Sequence, residues 1–214
     1  MRLFAAARPP RDAREHLARA LTEVRAMTGT ALRWGDPEQW HVTLAFYGDQ
    51  PEGAVPDLEE HLHAVARESP PLRVSLRGAG SFGGTTLWMG LGGETTGLAD
   101  LMRACSLDPD ERARQRTHLT VARLSRTERS RRAAQRRRGS RVLACGGPEL
   151  ADVVRALSVY DGPEWTVGEV RLMSSALGEG RSGGALHREL ARCPLGGPGP
   201  VAPGPPGQGR PRPR

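Results

Sequence analysis

His41-Val42-Thr43-Leu44 and His118-Leu119-Thr120-Val121 are one four-residue pattern written twice: His, apolar, Thr, apolar. Side chains alternate between the faces of an extended strand, so each His projects with its Thr while the apolar pair goes to the other side. Two such strands brought together place two imidazoles and two hydroxyls around one small cavity. Imidazoles titrate near ~6.5 and can both give and take protons at neutral pH. Hydroxyls donate to anionic oxygens. The set suits acid–base chemistry on a phosphoryl group. Six His and twelve Thr in 214 residues give about 0.3 His-x-Thr triplets by chance. Two copies with matched apolar flanks, both continuing with Ala, exceed that background. The competing reading, two edge-strand histidines satisfied locally, leaves the repetition unexplained.

Other residues bear on the same chemistry. Val42, Leu44 and Phe46 share one strand face by alternation, as do Leu119 and Val121, and all five read as core that fixes the angle of the reactive side chains. Arg123 is a candidate third contact to phosphate or base. Strict alternation turns it away from His118, so it needs a twist or bulge to reach the cleft. Phe82, flanked by glycines, is a candidate stacking surface for a nucleobase, with a core anchor as the alternative. His61 and His63 are two apart on a helical segment and face different directions, so they are not read as a metal pair. No metal and no cofactor is expected, because two imidazoles already supply an acid and a base.

The elements that must hold these groups alternate between strand and helix. Leu3 to Ala7 reads as a strand broken by Pro9-Pro10. Leu17, Leu21, Val24 and Thr28 recur at helical spacing and predict one helix from Arg11 to Thr28, ending before Gly29. A turn over Trp34-Gly35-Asp36-Pro37 precedes the first motif strand, Trp40 to Tyr47. Val55, Leu58, Leu62 and Val65 mark a second helix closed by Pro70-Pro71. Leu72 to Leu76 alternates as a strand, Gly78 to Gly84 reads as a loop around Phe82, and Leu87 to Leu91 as the next strand. Leu98, Leu101, Met102 and Cys105 mark a third helix, and Thr117 to Arg123 is the second motif strand. An Arg-rich, partly helical stretch follows, then a short helix from Glu149 to Ala156. Leu157 to Tyr160, Trp165 to Leu172 and Ala185 to Leu190 are candidate strands.

Composition narrows the class. Between Glu111 and Arg141 twelve Arg face two Glu, so the net charge of +7 is concentrated there and the rest of the chain is slightly acidic. Clustered cations suit a polyanionic partner such as RNA. The chain has no Lys, so Arg content alone says little and its position beside the second motif says more. Cys105, Cys145 and Cys193 are odd in number and widely spaced, suggesting neither a disulfide framework nor a thiolate metal site. No apolar run approaches the ~18 residues of a membrane span. The short run at residues 1–7 stops at Arg8-Pro9-Pro10, too short for a secretory segment, so a cytoplasmic protein is expected. Thirteen of the last nineteen residues are Gly or Pro, and 196–214 reads as a disordered tail. Residues 1–195 then form one α+β domain of two pseudo-symmetric lobes, each an antiparallel sheet with helices on its outer face, around a central cleft.

The paired motifs resemble the two-histidine phosphoesterases, and most closely the bacterial RNA 2′,3′-cyclic phosphodiesterases, also known as 2′-5′ RNA ligase-like proteins. The resemblance rests on Arg2-Leu3-Phe4-Ala5-Ala6, on Trp40 to Gly48, on Gly80-Ser81-Phe82 through Leu87-Trp88, on His118 to Arg123, on Val170 to Ser175 and on Cys193-Pro194-Leu195, in that order. It departs in the basicity of Arg126 to Arg141 and at His187, where the family commonly has Tyr, so no role is carried over there. The resemblance implies hydrolysis of an RNA 2′,3′-cyclic phosphate end to a 2′-phosphomonoester. His41 would donate a proton to the leaving 3′ oxygen, His118 would accept one from water, and Thr43 and Thr120 would hold the phosphate. Residue chemistry by itself does not orient the two histidines. A monomer is expected. Two other readings use the same scaffold: a phosphodiesterase for a small nucleotide or ADP-ribose-type cyclic phosphate, and a non-catalytic RNA-binding module.

Overall fold

The run Leu3 to Ala7 is buried along its whole length, which a strand achieves only in the interior of a sheet covered on both faces. The structure, a computed structural model, describes residues 1–108, 116–137 and 149–196. In it β1 (Arg2–Ala7) lies between β3 (Val42–Asp49) and β8 (Glu169–Leu177), antiparallel to both. The other strands are β2 (Leu32–Trp34), β4 (Leu72–Phe82), β5 (Thr86–Gly93), β6 (Leu119–Leu124), β7 (Asp161–Val167) and β9 (Ala185–Pro194). Their order is β7-β4-β5-β6-β3-β1-β8-β9, with β2 added beside β6. Every pairing is antiparallel.

That order reads the same outward from its centre: β6, β5, β4, β7 on one side and β3, β1, β8, β9 on the other. The expected two lobes are thus two four-stranded halves, and they merge into one sheet through a single register pair, Val42 with Leu119. The helices are α1 (Arg11–Ala20), α2 (Thr22–Thr28), α3 (Val55–Glu68), α4 (Thr95–Cys105), α5 (Arg126–Arg137) and α6 (Leu150–Ala156). Helix α3 packs on β8 and β9, α4 on β3, α1 on β7 and α6 on β4. Leu17, Leu21, Leu44, Leu62, Leu98, Leu119 and Leu172 are fully enclosed between sheet and helices. Among the described residues no helix is long and apolar enough to cross a membrane.

Several sequence expectations are corrected. The single helix over 11–28 is two segments meeting at Leu21, although its apolar stripe is buried as expected. The glycine-rich loop is strand: β4 runs unbroken to Phe82, and only Gly83 and Gly84 turn the chain, at φ 53° and 62°, with the Thr85 N–H donating to the Phe82 carbonyl at 3.0 Å. Gly80 is there for packing, since a Cβ would sit 2.2 Å from the Trp88 ring. Leu157 to Tyr160 is not a strand. Leu157 extends the Leu150–Val153 stripe of α6 as its C-cap, and Val159 is solvent-exposed. The predicted strand Trp165 to Leu172 breaks at Gly168 into β7 and β8, which join opposite halves of the sheet. Trp34, read as part of a turn, ends the short strand β2. Cys145, most of the tail and the Arg-rich stretch beyond 137 lie outside the described residues.

Candidate active site

Both motif strands carry a β-bulge at the same place. On β3, Thr43 pairs with Ala6 and Ala45 with Ala5, leaving Leu44 as the extra residue. On β6, Thr120 pairs with Trp88 and Ala122 with Leu87, leaving Val121. A bulge inserts one residue and resets the alternation beyond it. Leu44 and Ala45 are accordingly both buried, as are Val121 and Ala122. The next residues, Phe46 and Arg123, swing to the His–Thr face. Arg123 therefore lines the cleft, by the bulge that its use requires. Phe46, expected in the core, is 42 % exposed and lines the same cleft, with the Arg2 guanidinium 5.0 Å from its ring centre.

The cleft encloses about 390 Å³ and is lined by His41, Thr43, His118 and Thr120 together. Their arrangement follows from the pair Val42–Leu119. In an antiparallel ladder, residues one step either side of a pair oppose each other, so His41 lies across from Thr120 and His118 across from Thr43. Val42 and Leu119 point into the core, which leaves all four polar side chains on the opposite, open face. Among the described residues neither threonine hydroxyl has a side-chain hydrogen bond, so both are available to a ligand.

Each imidazole is held the same way. His41 Nδ1 lies 2.8 Å from the Gln39 carbonyl, and His118 Nδ1 lies 2.7 Å from the Arg116 carbonyl, both two residues upstream. A carbonyl oxygen only accepts, so each Nδ1 carries the hydrogen and each Nε2 is the atom left to exchange protons. The two rings differ in their surroundings. His118 meets the Phe82 ring edge to face at 4.9 Å, and Phe82 stacks against Trp88 at 5.3 Å. Phe82 thus braces His118 and is not among the residues lining the cleft. His41 packs against Phe4 at 4.9 Å and against His187 at 4.8 Å, nearly perpendicular to the latter.

Burial lowers the His41 imidazole to about 4. The Gln39 hydrogen bond opposes that shift, while His187, Arg8 and His118 add to it. His187 is lowered as well, by burial and by the Arg123 guanidinium. Its backbone N–H donates to Gln39 Oε1 at 2.8 Å, so Gln39 holds the His41 ring through its carbonyl and the His187 backbone through its side chain. Sequence reasoning assigned nothing to His187 or Gln39. The departure from Tyr at 187 was the available signal, but its meaning depends on β9 lying beside β8 and reaching over the cleft. Arg33 and Arg181 also line the cleft and were not singled out. His61 Nε2 lies 3.2 Å from the Cys105 carbonyl and His63 pairs with Glu59 at 3.7 Å, both on α3 away from the cleft. Cys105 and Cys193 are buried free thiols.

Comparison with known proteins agrees with the geometry. Residues 8–88 match the family described as LigT like Phosphoesterase. An RNA 2′,3′-cyclic phosphodiesterase of Archaeoglobus fulgidus is 30% identical over 189 residues, covering 83% of this chain and 92% of the relative. A protein of the same name from Thermus thermophilus is 42% identical over 84 residues, a match that covers 38% of this chain and spans 40% of that relative's length. A crystal structure of a Thermus thermophilus protein superposes with a TM-score of 0.63 at 26% identity, covering 92% of this chain and 99% of that one. With its two His-x-Thr strands facing one cleft and a relative matched over nearly its full length, this chain belongs to the LigT-like phosphoesterase family.

Proposed function

We propose that this protein opens RNA 2′,3′-cyclic phosphate ends by hydrolysis, leaving a 2′-phosphomonoester, with His41 and His118 as its acid and base. The observation that carries the reading is the quartet of His41, Thr43, His118 and Thr120 on one face of a single cleft. The A. fulgidus relative's name supports the substrate class.

Water attacks phosphorus in line with the departing 3′ oxygen, so base and acid must stand on opposite sides. In this reading His118 Nε2 takes a proton from the attacking water as the new P–O bond forms. The P–O3′ bond breaks, and His41 Nε2 gives its proton to the 3′ oxygen. Thr43 and Thr120 donate to the non-bridging oxygens, where negative charge must be held through the transition state. His41 is mostly neutral in the empty cleft at pH 7 because burial lowers it to about 4. An anionic phosphate entering the cleft favours its protonated form, so the substrate itself charges the acid. The same lowered pKa favours one second reading, with His41 as base and His118 as acid. Arg123 extends the phosphate contacts, and Phe46 offers an exposed ring for a base. Phe82 acts through His118. The enzyme is proposed to work as a cytoplasmic monomer.

The test is to incubate the purified protein with an oligoribonucleotide ending in a 2′,3′-cyclic phosphate and to locate the phosphate by ³¹P–¹H NMR. Exclusive 2′-phosphate product is expected. A 3′-phosphate product would overturn the assigned bond cleavage. Binding without turnover would favour a non-catalytic RNA module.

A further inference from the structure

One wall of the cleft carries positive charge beyond the His–Thr quartet proposed to perform the hydrolysis. Arg33 of β2 and Arg123 of β6 are directly opposed partners in the antiparallel ladder, and both line the cleft. Like charges directly opposite one another across strands are unfavourable. Among the described residues neither guanidinium is paired with a carboxylate. The Arg33 guanidinium donates to the Gly183 carbonyl at 2.7 Å. Arg129 in the first turn of α5 adds a third cation close enough to act on Arg123, along with Arg33. Elsewhere the chain does neutralise neighbouring cations: Glu128 pairs with Arg131 and Arg132 on that same helix, and Glu38 with Arg8 and Arg14. Among the described residues, the pair of opposed Arg33 and Arg123 inside the cleft has no such carboxylate.

Two guanidiniums from opposed strands, one of them held by the Gly183 carbonyl and neither paired with a carboxylate among the described residues, make a site for a phosphate, which an arginine fork binds through paired hydrogen bonds. We propose that Arg33 and Arg123 form a second phosphate subsite, continued outward by Arg129, for the phosphodiester immediately upstream of the reacting end. The subsite makes an oligoribonucleotide, and not a mononucleotide, the preferred substrate. It rests on the reading of the cleft as a cyclic phosphodiesterase site. Arg123 stands one bulge beyond Thr120, so a strand whose terminal phosphate lies between the histidines passes its preceding phosphate toward β2.

The experiment compares uridine 2′,3′-cyclic phosphate with the dinucleotide UpU 2′,3′-cyclic phosphate, which adds one upstream phosphodiester, over a range of salt. The full-length protein should favour the dinucleotide about tenfold or more in kcat/KM at low salt. Its log–log salt slope should be steeper by about 0.7, the value for one extra phosphate contact on a single strand. Arg33→Gln should bring the preference to within about twofold. Arg129→Gln, on an exposed helical position, should lower it in the same direction and guards against misfolding of the first variant. Arg67→Gln, an exposed arginine on α3 outside the cleft, should change nothing and controls for net charge. Equal turnover of both substrates with equal salt slopes would overturn the subsite and leave the cyclic phosphodiesterase reading intact. Turnover of neither would overturn that reading instead. The subsite would then be decided by fluorescence anisotropy of labelled 2′-phosphorylated mono- and dinucleotides, where equal affinities would rule it out.

Discussion

Val42 and Leu119 face each other across β3 and β6, and theirs is the register pair that joins the two halves of the sheet. Both side chains are buried at 1 % exposure or less. Because they point into the core, the residues on either side of each point out, and the two His–Thr pairs are set diagonally around the pseudo-two-fold axis. The site is symmetric in backbone and asymmetric in what surrounds each ring.

The symmetric placement predicts that each histidine is indispensable and that the two losses differ in kind. His41→Ala and His118→Ala should each reduce kcat by about 10²–10⁴, the usual contribution of a general acid or base, with unchanged circular dichroism. A substrate with sulfur in place of the bridging 3′ oxygen has a leaving group that needs no proton. It should rescue the variant lacking the acid and not the variant lacking the base. Rescue of His118→Ala in place of His41→Ala would reverse the roles.

The asymmetry predicts a pH effect. The His41 imidazole sits at about 4 in the folded protein, against an ordinary value of 6.5. Between those values the unfolded chain binds a proton that the folded one refuses, so stability falls as pH drops from 6.5 toward 4 and is unaffected above that window. The loss is on the order of 3 kcal/mol by pH 4. Urea midpoints at pH 7 and pH 4.5 should differ more for the wild type than for His41→Asn. Inorganic phosphate binding at pH 6 should take up protons, seen as a buffer-dependent enthalpy in calorimetry. Binding without uptake would contradict charging of His41 by the anion.

His187 sets part of that shift through its contact with His41 and its own burial against Phe4. His187→Ala removes the neighbouring ring and opens the pocket to water, so the acid limb of kcat/KM should move to higher pH. His187→Tyr keeps an aromatic ring at the position and should hold kcat within several-fold of wild type. A pH profile unchanged in both variants would remove His187 from any role in the site.

Gly80 links the fold of β4 to His118. An added Cβ would fall 2.2 Å from the Trp88 ring, which packs on Phe82, and Phe82 packs on His118. Gly80→Ala should destabilise the protein by about 1–3 kcal/mol and lower kcat more than it raises KM. Normal kcat in the folded variant would show that the aromatic brace does not position the imidazole.

In the proposed mechanism two imidazoles supply the proton transfers without a Lewis acid. Turnover should therefore persist in excess chelator, and the measurement is initial rate before and after exhaustive EDTA treatment. Loss of activity restored by a divalent cation would refute the acid–base mechanism.

Short-range pattern was enough to read the candidate His–Thr quartet and most of the alternation of elements. The repeated His-x-Thr unit is local, and the period of two in a strand puts both groups on one side whatever the tertiary context. The buried stripes at Leu17, Leu21, Val24 and Thr28 and at Leu98, Leu101, Met102 and Cys105 were legible for the same reason, as was the α+β class. Long-range packing settled what depends on contacts far apart in the chain. The bulges at Leu44 and Val121 exist only in register with β1 and β5, and they carry Arg123 and Phe46 to the open face against strict alternation. The split at Gly168 separates two strands that pair at distant places in the sheet. His187 reaches His41 because β9 closes one edge of the sheet, a relationship across 146 residues that no short-range pattern encodes.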